Sequence, residues 1–137
     1  MHNRLLIFSL IILCFTATNC VSTTNSEDIR LGEKLYKENC AECHGEGAQG
    51  QDPQNQNGGF NAQGERLAPA LNGTAHSWHH SPELLLRYIQ KGSVDETSPM
   101  PSFKGTLSIK ESLAIITYFQ SLWPQDIIQN YEKRFKR

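Results

Sequence analysis

The sequence predicts a small all-α domain. The chain has 137 residues, a length that suits a single domain. Two segments carry helix-start signals, Ser81-Pro82-Glu83 and the capping box Ser108-Ile109-Lys110-Glu111, and apolar residues follow each start at helical spacing. Neither segment shows the alternation of apolar and polar residues that is typical of a β-strand. These observations together predict helices joined by loops.

Each predicted helix has an identifiable extent. The helix from Ser81 ends at Gly92, and the helix from Ser108 runs to Trp123, where Pro124 ends it. An earlier helix is predicted because its apolar positions share one face: Ile29, Gly32, Leu35, Tyr36 and Cys40. The segment 45–64 is rich in Gly, Gln and Asn, so it is predicted to be a loop.

Composition excludes several classes of protein. The formal net charge is −1, whereas a general nucleic-acid binder needs a basic surface, so no nucleic-acid partner is expected. No apolar run reaches the roughly 18–20 residues that a membrane-spanning helix requires. The chain is also too short for a large multidomain enzyme.

The N-terminus has the pattern of an export signal. A short basic start precedes the apolar stretch 5–15, and small and polar residues follow it, so residues 1–19 are predicted to be a signal peptide. Cys20 comes next and resembles a bacterial lipoprotein processing site, in which the cysteine carries the lipid; ordinary cleavage and release is the alternative. We therefore expect an exported protein of the bacterial periplasm, held at the membrane through Cys20.

The predicted signal peptide leaves three further segments. Residues 20–28 are rich in Ser, Thr and Asn and are predicted to form a flexible tether. Residues 29–123 form the predicted folded domain. Residues 124–137 form a basic amphipathic extension, which suits either a membrane-surface or partner helix, or a terminal helix packed on the domain.

The motif that carries the chemistry is Cys40-Ala41-Glu42-Cys43-His44, the C-x-x-C-H signature of covalent haem attachment. Two thiols at this spacing can each add to one vinyl group of a haem, and the imidazole that follows is then placed beneath the iron. A thioredoxin-like C-x-x-C requires a βαβ unit, which this segment lacks. A structural zinc site requires four ligands, for which the remaining candidates are His76, His79 and His80.

The C-x-x-C-H motif follows a predicted helix, and in this combination the chain resembles the class I cytochrome c family. The residues that carry the likeness are Gly32, Tyr36, Cys40, Cys43 and His44. The resemblance implies the cytochrome c fold, with three main helices around one covalently bound haem c, to which the sequence adds a C-terminal extension helix. It also implies that Gly32 and Tyr36 meet the C-terminal helix of the fold.

Two later segments extend the resemblance. The segment Leu67–Gly73 is similar to the family's G-P-x-L-x-G stretch, with Ala68 where glycine is common. The likeness implies that the Pro69 carbonyl accepts the Nδ1–H of His44. The segment Ser98–Phe103 resembles the family's distal loop, which implies that Met100 is the second axial ligand of the iron, opposite His44. The prolines on either side of Met100 stiffen this loop.

Several side chains have alternative roles. Ligation by two histidines would require His76, His79 or His80 in place of Met100, and these histidines also suit solvated or capping positions. The indole N–H of Trp78 suits a hydrogen bond to a haem propionate, and simple packing suits it equally. Arg66 is a weaker propionate candidate.

With both axial positions filled by protein, the iron has no open site for a substrate. The prediction is therefore single-electron transfer between Fe(III) and Fe(II), by a carrier rather than an enzyme, with transient docking to a redox donor and acceptor. One alternative is a haem-based sensor of small ligands, in which Met100 detaches. The other is a cytochrome subunit of a larger respiratory oxidoreductase.

Overall fold

The computed structural model describes residues 23–93 and 98–135. The predicted signal peptide and Cys20 lie outside this part of the chain. The helices are α1 Thr23–Asn39, α2 Ala41–His44, α3 Pro82–Lys91, α4 Ile109–Ser121 and α5 Gln125–Phe135, with a 3₁₀ turn at Ser77–His79. Strands β1 Gly59–Phe60 and β2 Arg66–Leu67 form an antiparallel pair. Because this pair is the only sheet in the described ranges and its strands are two residues long, the all-α prediction is confirmed.

Both predicted helix starts are present. At the start of α3 the Ser81 hydroxyl accepts a hydrogen bond from the Leu84 amide at 3.3 Å. At the start of α4 the capping box is complete, because the Glu111 amide donates to the Ser108 hydroxyl at 3.2 Å and the Ser108 amide donates to the Glu111 carboxylate at 2.8 Å. These bonds satisfy amides that a helix start otherwise leaves unpaired.

Two boundaries differ from the sequence prediction. Helix α1 begins at Thr23 rather than at Ile29, so residues 23–28 of the predicted tether are helical. Apolar periodicity does not reveal these turns, because residues 25–27 are polar and exposed. Helix α4 ends at Ser121, and Trp123 lies in the turn that follows, with its amide bonded to the Gln120 carbonyl at 3.1 Å.

The crossing of α1 and α4 is the main packing contact of the fold. An added Cβ on Gly32 would lie 2.0 Å from the carbonyl oxygen of Ala114, so only glycine allows the two backbones to come this close. One turn along, the rings of Tyr36 and Tyr118 meet with centroids 5.2 Å apart. Both tyrosines are buried. This crossing fixes the C-terminal end of α1, which carries the C-x-x-C-H motif.

Helix α5 packs on the domain. The ring of Tyr131 meets the ring of Trp123 with centroids 5.0 Å apart, and the indole N–H of Trp123 donates to the Leu71 carbonyl at 2.7 Å. The other apolar residues of α5 pack against the same core: Ile127, Ile128 and Phe135. The structure therefore favours the packed terminal helix among the interpretations of segment 124–137. None of the helices in the described ranges has the length and apolar character needed to cross a lipid bilayer.

Candidate haem site

A cavity of about 590 Å³ lies between the C-terminal end of α1, the segment around Pro69, α3 and the loop before α4. This volume falls within the roughly 300–1,000 Å³ that is usual for cofactor sites. Five predicted site residues line it: Cys40, Cys43, His44, Pro69 and Met100. These residues are spread over sixty positions of the chain, and the fold brings them together around one cavity.

Cys40 lies between α1 and α2, and Cys43 lies within α2. The Cys40 amide donates to the Tyr36 carbonyl at 2.8 Å, and the His44 amide donates to the Cys40 carbonyl at 2.9 Å. Neither cysteine is in a disulfide, so both sulfur atoms are available for thioether bonds. Burial raises the pKa of the Cys40 thiol to about 11, with a smaller contribution from Cys43, so this thiol carries its proton at neutral pH. The arrangement presents two reduced sulfur atoms to the cavity on one helical turn.

His44 is held by a hydrogen bond that determines its tautomer. Its Nδ1 lies 2.8 Å from the carbonyl oxygen of Pro69, and because a carbonyl only accepts, Nδ1 carries the hydrogen. The lone pair is therefore on Nε2, the nitrogen that can bind a metal. Burial lowers the pKa of His44, and the bond to Pro69 opposes that shift. The buried ring is thus favoured in the neutral form that a metal ligand requires.

The segment 45–64 supports Pro69. The Leu71 amide donates to the Ala48 carbonyl at 2.8 Å, and the Gln51 amide donates to the Ala68 carbonyl at 3.0 Å. Gly50 has a φ of +88°, and an added Cβ there would lie 2.9 Å from the amide nitrogen of Ala70. The loop that the sequence predicted therefore has a structural role, because it fixes the carbonyl that orients His44.

The loop that carries Met100 is tied to the C-terminal end of α3. The Phe103 amide donates to the Ile89 carbonyl at 3.0 Å, and the Ser102 hydroxyl donates to the Gln90 carbonyl at 2.7 Å. These carbonyls belong to the last turn of the helix, where partners within the helix are missing. Gly92, with a φ of +75°, leaves room for the Met100 carbonyl oxygen, which would lie 2.8 Å from an added Cβ. Met100 is half-buried and packs against the core.

The other residues that the sequence suggested as haem or metal contacts differ in whether they line the cavity. Arg66, His76 and His80 line the cavity, whereas Trp78 and His79 are not among its described lining residues. Trp78 packs against the core, with its ring centroid 3.8 Å from that of His79, and its contact with a propionate stays a prediction. Within the described ranges no group of three or more His, Cys, Asp or Glu side chains is arranged to hold a metal ion, which disfavours the zinc interpretation.

Ser77 is a lining residue that sequence reasoning did not assign to the site. It is buried, and its hydroxyl oxygen has no hydrogen-bond partner in the described part of the chain. Buried polar groups are nearly always bonded, and the described residues provide no partner for this hydroxyl. A small residue in a polar, histidine-rich segment carries no periodic signal from which its burial follows.

The residues present fit a haem. Most of the wall is apolar, and it includes Leu67, Leu71, Leu85, Ile89, Ile115 and Phe119, which suits the face of a porphyrin. Cys40, Cys43, His44 and Met100 line the same space, and their side chains offer two sulfur nucleophiles, one imidazole nitrogen and one thioether sulfur. This set of donors is that of a c-type haem with one covalent attachment motif.

Comparison with known proteins agrees with this geometry. Residues 27–119 match the family model described as cytochrome C oxidase, cbb3-type, subunit III. The match spans more than half of the chain, and the chain belongs to this family. No curated protein and no solved structure matches the chain. The protein is therefore a c-type cytochrome with the cytochrome c fold, haem c is its covalently bound cofactor, and it transfers electrons in a respiratory chain.

Proposed function

We propose that this protein is a single-electron carrier with one haem, joined through thioether bonds to Cys40 and Cys43 and bound at its iron by His44 and Met100. The observation that carries the proposal is the cavity whose wall contains all four side chains. The bond from His44 to the Pro69 carbonyl supports it, because that bond aligns the imidazole and makes it a stronger donor. When bound, the haem supplies the Fe(III)/Fe(II) couple.

The protein part of the site favours the reduced state. A thioether sulfur is a ligand that raises the potential of a haem. The apolar wall adds to this effect, because a low-dielectric surrounding disfavours the extra positive charge of Fe(III). The Met100 loop is held by main-chain bonds to α3, so the sulfur is presented without a large ordering cost. An iron with two protein ligands exchanges electrons through the haem edge and leaves no position for substrate.

The spectrum of the purified holoprotein tests this proposal. We expect a low-spin ferric spectrum with the near-infrared band of methionine-to-iron charge transfer, and slow binding of carbon monoxide to the reduced protein. A redox titration followed at the same wavelengths gives the potential. A high-spin spectrum with rapid uptake of carbon monoxide would instead indicate the haem-based ligand sensor, in which Met100 is not a permanent ligand.

The partners follow from single-electron chemistry. A carrier docks transiently to a donor and an acceptor through a small interface. The net charge of −1 predicts modest long-range steering of these encounters. The second candidate is a subunit of a larger respiratory oxidoreductase, which the description of the matched family favours. Co-purification with a membrane oxidase or dehydrogenase under mild detergent would support the subunit, and isolation of the chain alone would support the free carrier.

The location is part of the proposal. The pattern of residues 1–19 supports export to the bacterial periplasm, and Cys20 supports attachment to the membrane through a lipid. The Cys20→Ser variant is expected to move from the membrane fraction to the soluble periplasmic fraction. The matched control is Cys14→Ser, which removes the neighbouring thiol and should leave the distribution unchanged. If Cys20→Ser stays with the membrane, the lipid attachment is wrong.

A further inference from the structure

We propose that His76, Ser77 and His80 form the site that binds the propionate carboxylates of the haem. The inference requires one part of the proposed function, namely that a haem occupies the cavity. It assigns the polar end of the cofactor to the 3₁₀ turn Ser77–His79 and its two flanking residues, rather than to the indole of Trp78.

The backbone of this turn places the three side chains together. The His79 amide donates to the His76 carbonyl at 2.9 Å, and the His80 amide donates to the Ser77 carbonyl at 3.2 Å. The rings of His76 and His80 meet edge to face with centroids 5.5 Å apart, and His80 also lies 5.7 Å from the ring of Tyr88 on α3. All three residues line the cavity. The turn therefore offers a cluster of donors in a fixed position.

Ser77 provides an independent observation. It is 4% exposed, and its hydroxyl oxygen has no hydrogen-bond partner in residues 23–93 and 98–135. Leaving such a group unpaired costs about 1–3 kcal/mol. Ser77 also lines the cavity, and a carboxylate bound there would supply the acceptor that this hydroxyl lacks. The orphan hydroxyl thus indicates that an anionic or strongly accepting ligand binds at this turn.

The charged residues around the cavity also favour the turn at Ser77–His79 as the propionate site. Among the cavity's described lining residues the acids are Glu38, which precedes the attachment cysteines by two positions, and Glu42, which lies between them in sequence. In a haem the vinyl groups and the propionates lie on opposite sides of the ring, so thiol attachment directs the propionates away from these acids. The bases are Arg66, His76 and His80, apart from His44. Like charges repel and opposite charges attract most strongly in a low dielectric, so the carboxylates are drawn to these bases.

We favour His76 and His80 over Arg66 as the residues that bind the propionates. The Arg66 guanidinium lies over the ring of Phe60, 5.1 Å from its centroid. Burial lowers the pKa of His80, and His76 and His79 lower it further, so the neutral form of His80 is favoured while no anion lies beside it. A nearby carboxylate offsets that penalty because it stabilises the protonated imidazole.

Histidine variants of the holoprotein test the assignment. His76→Leu and His80→Leu each remove a donor, and His76→Gln and His80→Gln keep an N–H group as conservative rescue variants. Ser77→Ala removes the hydroxyl. The matched control is His79→Leu, because His79 is exposed and lies in the same turn but is not among the described lining residues. The readouts are the carboxylate stretching bands in redox-difference infrared spectra and the reduction potential.

The leucine variants and Ser77→Ala are expected to shift the carboxylate bands. The leucine variants should also lower the potential, because a carboxylate with fewer donors stabilises Fe(III). The glutamine variants should retain part of the wild-type potential, and His79→Leu should leave the carboxylate bands at their wild-type positions. Unchanged carboxylate bands in variants that carry covalent haem would overturn the assignment, as would bands that respond to Arg66→Gln alone. A wild-type protein without covalent haem would overturn the proposed function itself.

Discussion

The Met100→Leu variant is expected to lose the near-infrared charge-transfer band of the ferric protein. Its reduction potential should fall on the order of 0.1 V, a modest part of the about 0.8 V over which axial ligands set haem potentials. The reason is that leucine fills the same volume as methionine but has no sulfur to donate to the iron. Near-infrared absorption of the ferric protein and a spectroscopic redox titration measure both effects.

The Met100→Ala variant distinguishes the loss of an iron ligand from the loss of side-chain packing. Exchange of methionine for leucine usually costs less than about 1.5 kcal/mol of folding stability, whereas Met100→Ala leaves a cavity and costs about 2–5 kcal/mol when the side chain is fully buried. Met100 is half-buried, so the lower end applies. If sulfur is the ligand, both variants lose the band to the same degree. A band that survives in Met100→Leu would show that Met100 does not bind the iron.

The Gly32→Ala variant is expected to lose about 3 kcal/mol or more of its free energy of unfolding. The added Cβ would lie 2.0 Å from the Ala114 carbonyl oxygen and 2.8 Å from the Cβ of Tyr118. Both neighbours belong to α4, and one of them is backbone, so the helices must move apart. This displacement exceeds ordinary overpacking, which costs about 1–3 kcal/mol. Thermal unfolding of the holoprotein should show a fall in Tm of about 10–20 °C.

Gly47→Ala is the control for this change. Its added Cβ would meet the flexible end of the Gln49 side chain at 3.2 Å, and Gly47 is exposed, so the side chain can give way. The expected effect on Tm is within a few degrees. A Gly32→Ala protein with the Tm of this control would show that α1 and α4 are not in backbone contact at Gly32.

Local signals in the sequence predicted much of the fold. Ser81 with Pro82, and the capping box at Ser108, are compact patterns that satisfy helix amides within four residues, and both helices begin where these patterns predict. Gly92 ends α3 with a φ of +75°, as its position predicted. The covalent attachment motif is equally local, because its chemistry depends on the spacing of residues on one turn. Such patterns need no information about the rest of the chain.

Features that depend on distant contacts were not predictable in this way. The indole of Trp123 bonds to the Leu71 carbonyl across fifty-two positions of the chain, and no periodicity connects them. Strands β1 and β2 are too short to show alternation. Ser77 owes its place in the cavity wall to a 3₁₀ turn, so only the fold distinguishes it from a solvated serine. The exclusion of Trp78 from the described wall has the same origin.

The hydrogen bonds that shape the site mostly end on main-chain carbonyl oxygens. His44 bonds to Pro69, the Tyr36 hydroxyl donates to Gly45 at 2.9 Å, and Trp123 bonds to Leu71. Every residue type has such an oxygen, so a substitution at an accepting position need not remove the bond if the backbone keeps its path. Substitutions at the accepting positions are therefore tolerated more easily than substitutions of the donor side chains, whose identity the hydrogen bonds require. Sequences that differ at these accepting positions can therefore keep the same hydrogen bonds around the cavity.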